Sequence, residues 1–250
     1  MEEEKKMQYL FGMHPVIEAL KAGKKFDKVL LKQGLEGPQF RELITLLGEM
    51  DIPYQYVPVE KLNRSVKGAH QGVIAYISQI DYVELEELVN NALATSENPL
   101  LVMLDGVSDV RNLGAIARTL ECAGGRGIIV PAKGGAAINA DAVKASAGAL
   151  MRIDTCKVNN LKFAACYLKQ CGFRIVCATE KVDKLMYDAN LTGPLAIVMG
   201  SEGDGISKGM LDLADDKVAI PMAGEISSLN VSVATSVILY ESVRQRSQIK

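Results

Sequence analysis

Apolar residues along the first 80 positions switch repeatedly between helical and strand spacing. Residues 12–20, entered through His14-Pro15, predict a helix, and KVLLK around Val29 to Leu31 predicts a short strand. A helix over 38–50, a strand at 54–57, a helix near 59–62 and a strand at 73–77 complete a small α/β unit. In residues 81–98, Val83, Leu85, Leu88, Val89 and Leu93 fall on one face of a surface helix that ends in a Ser-Glu-Asn-Pro break. This stretch is expected to be a linker.

From Leu100 onward, runs apolar on both faces alternate with helical patterns. LLVML leads to a helix over 112–123, and GIIV to a helix near 140–149. A helix near 161–171, the runs FRIVCA, LAIVM and KVAI, and a long helix over 229–246 follow. Strands buried on both sides and alternating with helices predict a mostly parallel, doubly covered sheet. The expected organisation is therefore α/β throughout, with units at 1–80 and 99–250 joined by 81–98. Ligands of such sheets bind beyond the carboxyl ends of the strands.

Composition narrows the class. At 250 residues, 48% hydrophobic and 23% charged, the chain matches globular usage. The longest stretch free of Asp, Glu, Lys and Arg is the 15 residues 226–240, with Asn230, Thr235 and four serines among them. That is too short and too polar to cross a bilayer, so no membrane partner is expected. MEEEKKMQYLFG lacks the basic-then-apolar order of a secretory signal, which predicts a cytoplasmic protein. Five cysteines without a C-x-x-C, and only His14 and His70, argue against zinc and against a disulfide framework. With no Trp and 5% aromatics, an aromatic-rich platform for single-stranded nucleic acid is excluded. The net charge of -2 hides a division, since residues 81–98 hold five acidic residues and no basic one.

Three strand-to-loop junctions stand out. In LDGVSDVRNLGAIARTLECAGG, residues 104–125, Asn112 precedes Arg118 by six positions, or 240° beyond one helical turn, so the two share a site only if Asn112 acts from the turn. The alternative is a helix-capping Asn112 and a solvated Arg118. In LAIVMGSEGDGIS, residues 195–207, a buried strand empties into Gly200, Gly203 and Gly205 around Glu202. This is neither G-x-G-x-x-G nor a P-loop, and a simple tight turn is the competing reading. In VAIPMAGEISSLNVSVATSVILYE, residues 218–241, a strand expected to end at Pro221 runs into Ser227, Ser228 and Asn230. Ser227 or Ser228 would cap the helix. Asn230, Ser232 and Thr235, opening an otherwise buried helix, need partners that a ligand would supply.

NLGAIART, GSEGDGI and IPMAGEISSLNVSVAT together resemble the three motifs of the SpoU (TrmH-type) RNA 2′-O-ribose methyltransferases of the SPOUT superfamily. YLFGMHPVIEAL and GAHQGVIAYI resemble the small substrate-binding domain fused to the ribosomal-RNA members. The resemblance implies a parallel sheet with a C-terminal trefoil knot, a rare exception to unthreaded chains. It implies a pocket for S-adenosyl-L-methionine lined by Gly200, Ile220 and Leu229, with Thr179 and Met222, and catalytic or RNA-facing roles for Asn112, Arg118, Glu202, Ser228 and Asn230. Leu120 and Ile206 depart from the family's usual residues without touching that polar set. His14 replaces a more usual small or amide residue.

The implied reaction is in-line attack of a ribose 2′-hydroxyl on the sulfonium methyl, with no metal. A guanidinium keeps its proton at neutral pH, so the expected role of Arg118 is to bind a phosphate and steady the developing alkoxide. Asn230 and Ser228 would hold Arg118 or the ribose, and Glu202 would fix its loop. The implied partners are large-subunit ribosomal RNA, with a guanosine of 23S rRNA as target, and a second copy of the chain contacted through the long final helix. Transfer RNA is the alternative substrate, and a non-catalytic RNA-binding or ribosome-assembly factor the alternative function. A nicotinamide-dependent oxidoreductase lacks its glycine fingerprint here. Lys21, Lys24, Lys25, Lys28 and Lys32, with Arg64 and Lys67 ahead of His70, form either an RNA contact or a solvated face.

Overall fold

A computed structural model describes residues 9–66 and 68–248; Lys67 and the acidic opening of the chain lie outside the described residues. The chain divides into two compact units, residues 1–81 with 138–140, and residues 82–137 with 141–250.

The first unit runs β1 (Tyr9–Phe11), α1 (Met13–Lys21), β2 (Phe26–Lys32), α2 (Pro38–Glu49), β3 (Tyr54–Val57), α3 (Val59–Ser65) and β4 (Val73–Ile77). Its sheet has the order β1-β4-β2-β3. One buried cluster joins Val16, Ile17 and Leu20 of α1 and Leu43 and Leu47 of α2 to Val29 and Leu31. A smaller cluster places Leu62 and Val66 against Leu30 and Ile74 on the opposite side of the strands. The β3 and β4 bounds coincide with those read from the pattern, whereas β1 was not anticipated.

The second unit begins earlier than the pattern suggested. Val83 N–H donates to Thr155 O at 3.0 Å, and α4 (Leu85–Thr95) buries Leu88, Val89 and Ala92 in the unit's core. The helix expected as a linker is part of the fold. Next come β5 (Leu100–Asp105), α5 (Val110–Cys122), β6 (Gly127–Pro131), α6 (Ala140–Ala145), β7 (Asp154–Val158), α7 (Leu161–Gln170), β8 (Arg174–Ala178), β9 (Leu195–Gly200), α8 (Lys208–Leu213), β10 (Asp216–Val218) and α9 (Val231–Ser247). Six parallel strands take the order β10-β8-β9-β5-β6-β7. Helices α4, α7 and α8 cover one face through a cluster that includes Leu101, Met103, Ala196 and Val198. Helices α5 and α9 pack together, and each also contacts a central strand.

From β5 the order runs outward through β6 and β7, and β8 then begins again on the far side of β9. The reversal makes the carboxyl ends of β5 and β9 a topological switch point, where a doubly wound sheet leaves a crevice. Helix α6 is shorter than its pattern, because Ala147 and Gly148 take φ of 49° and 87°. Strand β10 ends at Val218, before the Pro221 boundary that the sequence suggested.

Candidate active site

Four strand ends meet at the crevice. Beyond β5, Gly106 turns with φ +83°, and Asp109 caps α5 by accepting from Arg111 N at 2.7 Å. That backbone bond holds the Asp109 carboxyl below the usual aspartate range. The cap is therefore Asp109, and Asn112 stands inside the first turn of α5, correcting both the turn position and the capping role considered for it.

Beyond β9, Ser201 and Gly205 exchange N–H···O bonds of 3.1 Å in both directions. Ser201 Oγ accepts from Asp204 N at 3.1 Å, and Ser207 N donates to Asp105 Oδ2 at 2.7 Å. The three-residue tip Glu202-Gly203-Asp204 is thus fastened at its base. A Cβ on Gly200 would lie 2.2 Å from Gly205 C and 2.3 Å from Ile206 N. Gly200 is required because its own loop folds back across it.

Before α9, Asn230 is the cap, with Oδ1 accepting from Ser232 N at 2.9 Å and from Ser232 Oγ at 2.6 Å. Ser227 and Ser228 do not cap. Thr235 Oγ1 donates to Val231 O at 2.6 Å, and Ser236 Oγ reaches Thr119 Oγ1 at 3.1 Å. The hydroxyls that open this helix find their partners inside the protein, so the expected need for a ligand there is corrected.

These ends converge on one cluster. Asn112 Nδ2 donates to Glu202 Oε1 at 2.8 Å, and Asn230 Nδ2 donates to the same oxygen at 3.0 Å and to Asn112 Oδ1 at 3.1 Å. Two amides bridge one carboxylate oxygen. Accepting both bonds keeps Glu202 at the mouth of the crevice.

The crevice has lobes. One, of about 430 Å³ with its open mouth, is lined by Met199, Val218, Ile220, Met222 and Leu229, together with Thr179 and Ser228. A second, of about 970 Å³ with its open mouth, follows Gly200 to Gly205, Glu202, Ser228 and Asn230. A third joins Gly106, Ser108 and Asn112 to Glu202. Nine of the ten residues singled out from the sequence line these lobes. Arg118 does not: it is exposed on α5, with no side-chain partner among the described residues.

The SpoU rRNA Methylase family pattern matches residues 99–240, the span that holds every junction just described. The chain belongs to the SpoU rRNA methylase family. A second pattern, RNA 2′-O ribose methyltransferase substrate binding, matches residues 9–83. The chain is 35% identical over 243 residues to the Putative TrmH family tRNA/rRNA methyltransferase YacO of Bacillus subtilis, covering 96% of this chain and 97% of that one. It is 38% identical over 239 residues to the 23S rRNA (guanosine-2′-O-)-methyltransferase RlmB of Photobacterium profundum, covering 95% and 97%. Among solved structures, the SpoU methyltransferase AviRb from Streptomyces viridochromogenes in complex with AdoMet is similar with a TM-score of 0.61 and 25% identity, over 95% of this chain and 90% of that one.

The SpoU crevice suits a ligand of that chemistry. Its first lobe offers apolar walls of the kind that accept an adenine, and the second offers loop backbone and carboxylates for a cationic, amino-acid end. Sequence reasoning missed Glu180, which lines both lobes, and Ser108, which lines the third. No motif pointed to either.

Within the first unit the suspected basic face is partly spent. Lys21 pairs with Glu42 at 2.8 Å, Lys25 with Asp81 at 3.4 Å, and Lys28 lies 5.1 Å from the Tyr76 ring centroid. Lys24 and Lys32 have no side-chain partner among the described residues. Buried His70 is a turn-builder, with Nδ1 accepting from Gly72 N at 3.0 Å and Nε2 donating to Asn63 Oδ1 at 2.8 Å.

Proposed function

We propose that this protein methylates a ribose 2′-hydroxyl of structured RNA, a guanosine of 23S rRNA, in the cytoplasm. The observation that carries the reading is the meeting of Asn112, Glu202 and Asn230 at the mouth of an apolar cleft formed by the ends of β8, β9 and β10. S-adenosyl-L-methionine, when bound there, supplies an activated methyl group and needs no metal. Ile220, Met222, Leu229 and the loop at Gly200 hold it, with Thr179 shaping the turn. Asn230 and Asn112 fix Glu202, and Ser228 reaches toward the ribose of the RNA. Arg118, which is exposed, lines none of the crevice lobes and has no side-chain partner among the described residues, binds a phosphate of the incoming RNA with its two-pronged guanidinium. Deprotonation falls to that phosphate or to water, because a guanidinium holds its proton at neutral pH.

The 23S assignment rests on relatives of that description that align over both units. The trefoil knot implied by the family likeness fits a cleft fed by three neighbouring strand ends. A homodimer is supported by α9, whose Val233 and Tyr240 are about half exposed at 48% and 52%, two turns apart on one face. The test is in vitro methylation of 23S and transfer-RNA transcripts, with 2′-O-methylation mapped by mass spectrometry. Modification of one 23S guanosine is expected; labelling of tRNA alone, or of neither RNA, refutes the assignment.

A further inference from the structure

We propose that Glu180 is the residue that recognises the ribose of the nucleoside ligand, its carboxylate accepting hydrogen bonds from the sugar's vicinal hydroxyls. The inference rests on the reading that the cleft takes S-adenosyl-L-methionine. Six residues line both the apolar lobe and the polar lobe: Ala178, Glu180, Met199, Ser228, Leu229 and Ala234. In a ligand with adenine at one end and an amino acid at the other, the ribose is the connecting piece and falls at this junction. Of the six, only Glu180 and Ser228 carry polar side chains, and only Glu180 is an acceptor with two oxygens to match two adjacent hydroxyls.

The local backbone presents it. Thr179 N–H donates to Val218 O at 2.9 Å, continuing the parallel pairing of β8 with β10, and Thr179 Oγ1 accepts from Lys181 N at 3.3 Å. The Thr179 hydroxyl oxygen thereby helps close this turn, while Thr179 itself lines the apolar lobe. The turn leaves Glu180 exposed at the strand's carboxyl end, with no hydrogen-bond or ion-pair partner among the described residues. An acidic side chain beyond a parallel strand is a recurrent solution for holding a ribose diol. Glu202, the other carboxylate of the cleft, has an oxygen committed to Asn112 and Asn230.

The test is titration calorimetry on the full chain with 5′-methylthioadenosine and its 2′-deoxy analogue, using wild type, Glu180→Ala and Glu180→Gln. In wild type the deoxy analogue binds at least about tenfold more weakly, the loss expected for a hydrogen bond to a charged acceptor. In Glu180→Ala the two ligands bind alike, within about twofold, and Glu180→Gln falls between. Because Glu180 is exposed and unpartnered, the unfolding midpoints of all three proteins should coincide. A deoxy penalty that survives unchanged in Glu180→Ala overturns the proposal while leaving the cofactor reading intact. If wild type binds neither 5′-methylthioadenosine nor S-adenosylhomocysteine, both fall together.

Discussion

Asn230→Asp separates two tasks performed by a single side chain. Asn230 Oδ1 caps α9 through Ser232 N and Ser232 Oγ, and Nδ2 ties the cap to Glu202 Oε1 at 3.0 Å and Asn112 Oδ1 at 3.1 Å. Aspartate keeps the cap and replaces the donor with a carboxylate oxygen facing Glu202. Two unit charges 3.0 Å apart repel by about 1.4 kcal/mol in bulk water and about 5.5 kcal/mol at an effective dielectric constant of about 20. Both side chains are solvent-facing, so the lower figure governs, and each lost hydrogen bond adds about 1 kcal/mol. The expected penalty is about 3 kcal/mol at neutral pH. Repulsion raises the folded-state pKa of the carboxylate pair above its unfolded value, so the folded protein binds the extra proton more readily. Stability relative to wild type should therefore recover as pH falls from about 7 toward 4, by about the Coulomb share. Asn230→Ala loses the cap and the same two bonds, a similar total with no such recovery. Urea unfolding of the three proteins at pH 7.5 and 4.5 reads this directly. A penalty for Asn230→Asp that does not change with pH, or no penalty at pH 7.5, refutes the bridged-carboxylate reasoning.

Gly200→Ala should cost about 3 kcal/mol, the upper end for overpacking, because the added methyl meets the backbone of Gly205 and Ile206 at 2.2–2.3 Å; thermal unfolding should drop by roughly 6–12 °C. Arg118→Lys keeps the charge and loses the fork, so turnover on RNA should fall at least about tenfold with the unfolding midpoint unchanged; near-normal turnover argues against two-pronged phosphate binding. Although burial opposes it, the Ile175 N–H bond and the Lys169 ammonium hold the Asp215 carboxyl below the usual aspartate value. Its stabilisation is present above about pH 4 and is lost as pH falls through the lower folded pKa, so Asp215→Asn should flatten the acid limb of a stability–pH profile. Tyr240→Asp, on the exposed stripe of α9, should convert the proposed dimer to monomer by light scattering, with the helix content of the circular dichroism spectrum retained.

Strands buried on both faces could be read directly, since an uninterrupted apolar run has few other uses; β8 and β9 fall where FRIVCA and LAIVM predict. Strand β7 was missed because DTCKV is polar by composition, although Thr155 and Cys156 are buried between neighbours. The helix at 85–95 showed its periodicity but not its destination. An amphipathic stripe looks the same on a linker as on a helix that closes a core. The glycines around Glu202 were legible as a loop, yet the partner that needs Gly200 to be glycine is the same loop five residues later, a closure that no local pattern displays.

Hydropathy spacing and the three motifs sufficed to establish an α/β chain of the SpoU family, because each depends on residues within a turn or a strand of one another. The meeting of Asn112 with Glu202 and Asn230 spans 90 and 118 positions, and it follows from strand order, which places the end of β9 beside that of β5. That adjacency also decided which polar side chains were already satisfied and which stood free. Ser232 and Thr235 bond within the fold, whereas Glu180 and Arg118 have no side-chain partner among the described residues. Hydrogen-bond saturation is a property of three-dimensional neighbours, so it could be read only from the folded chain.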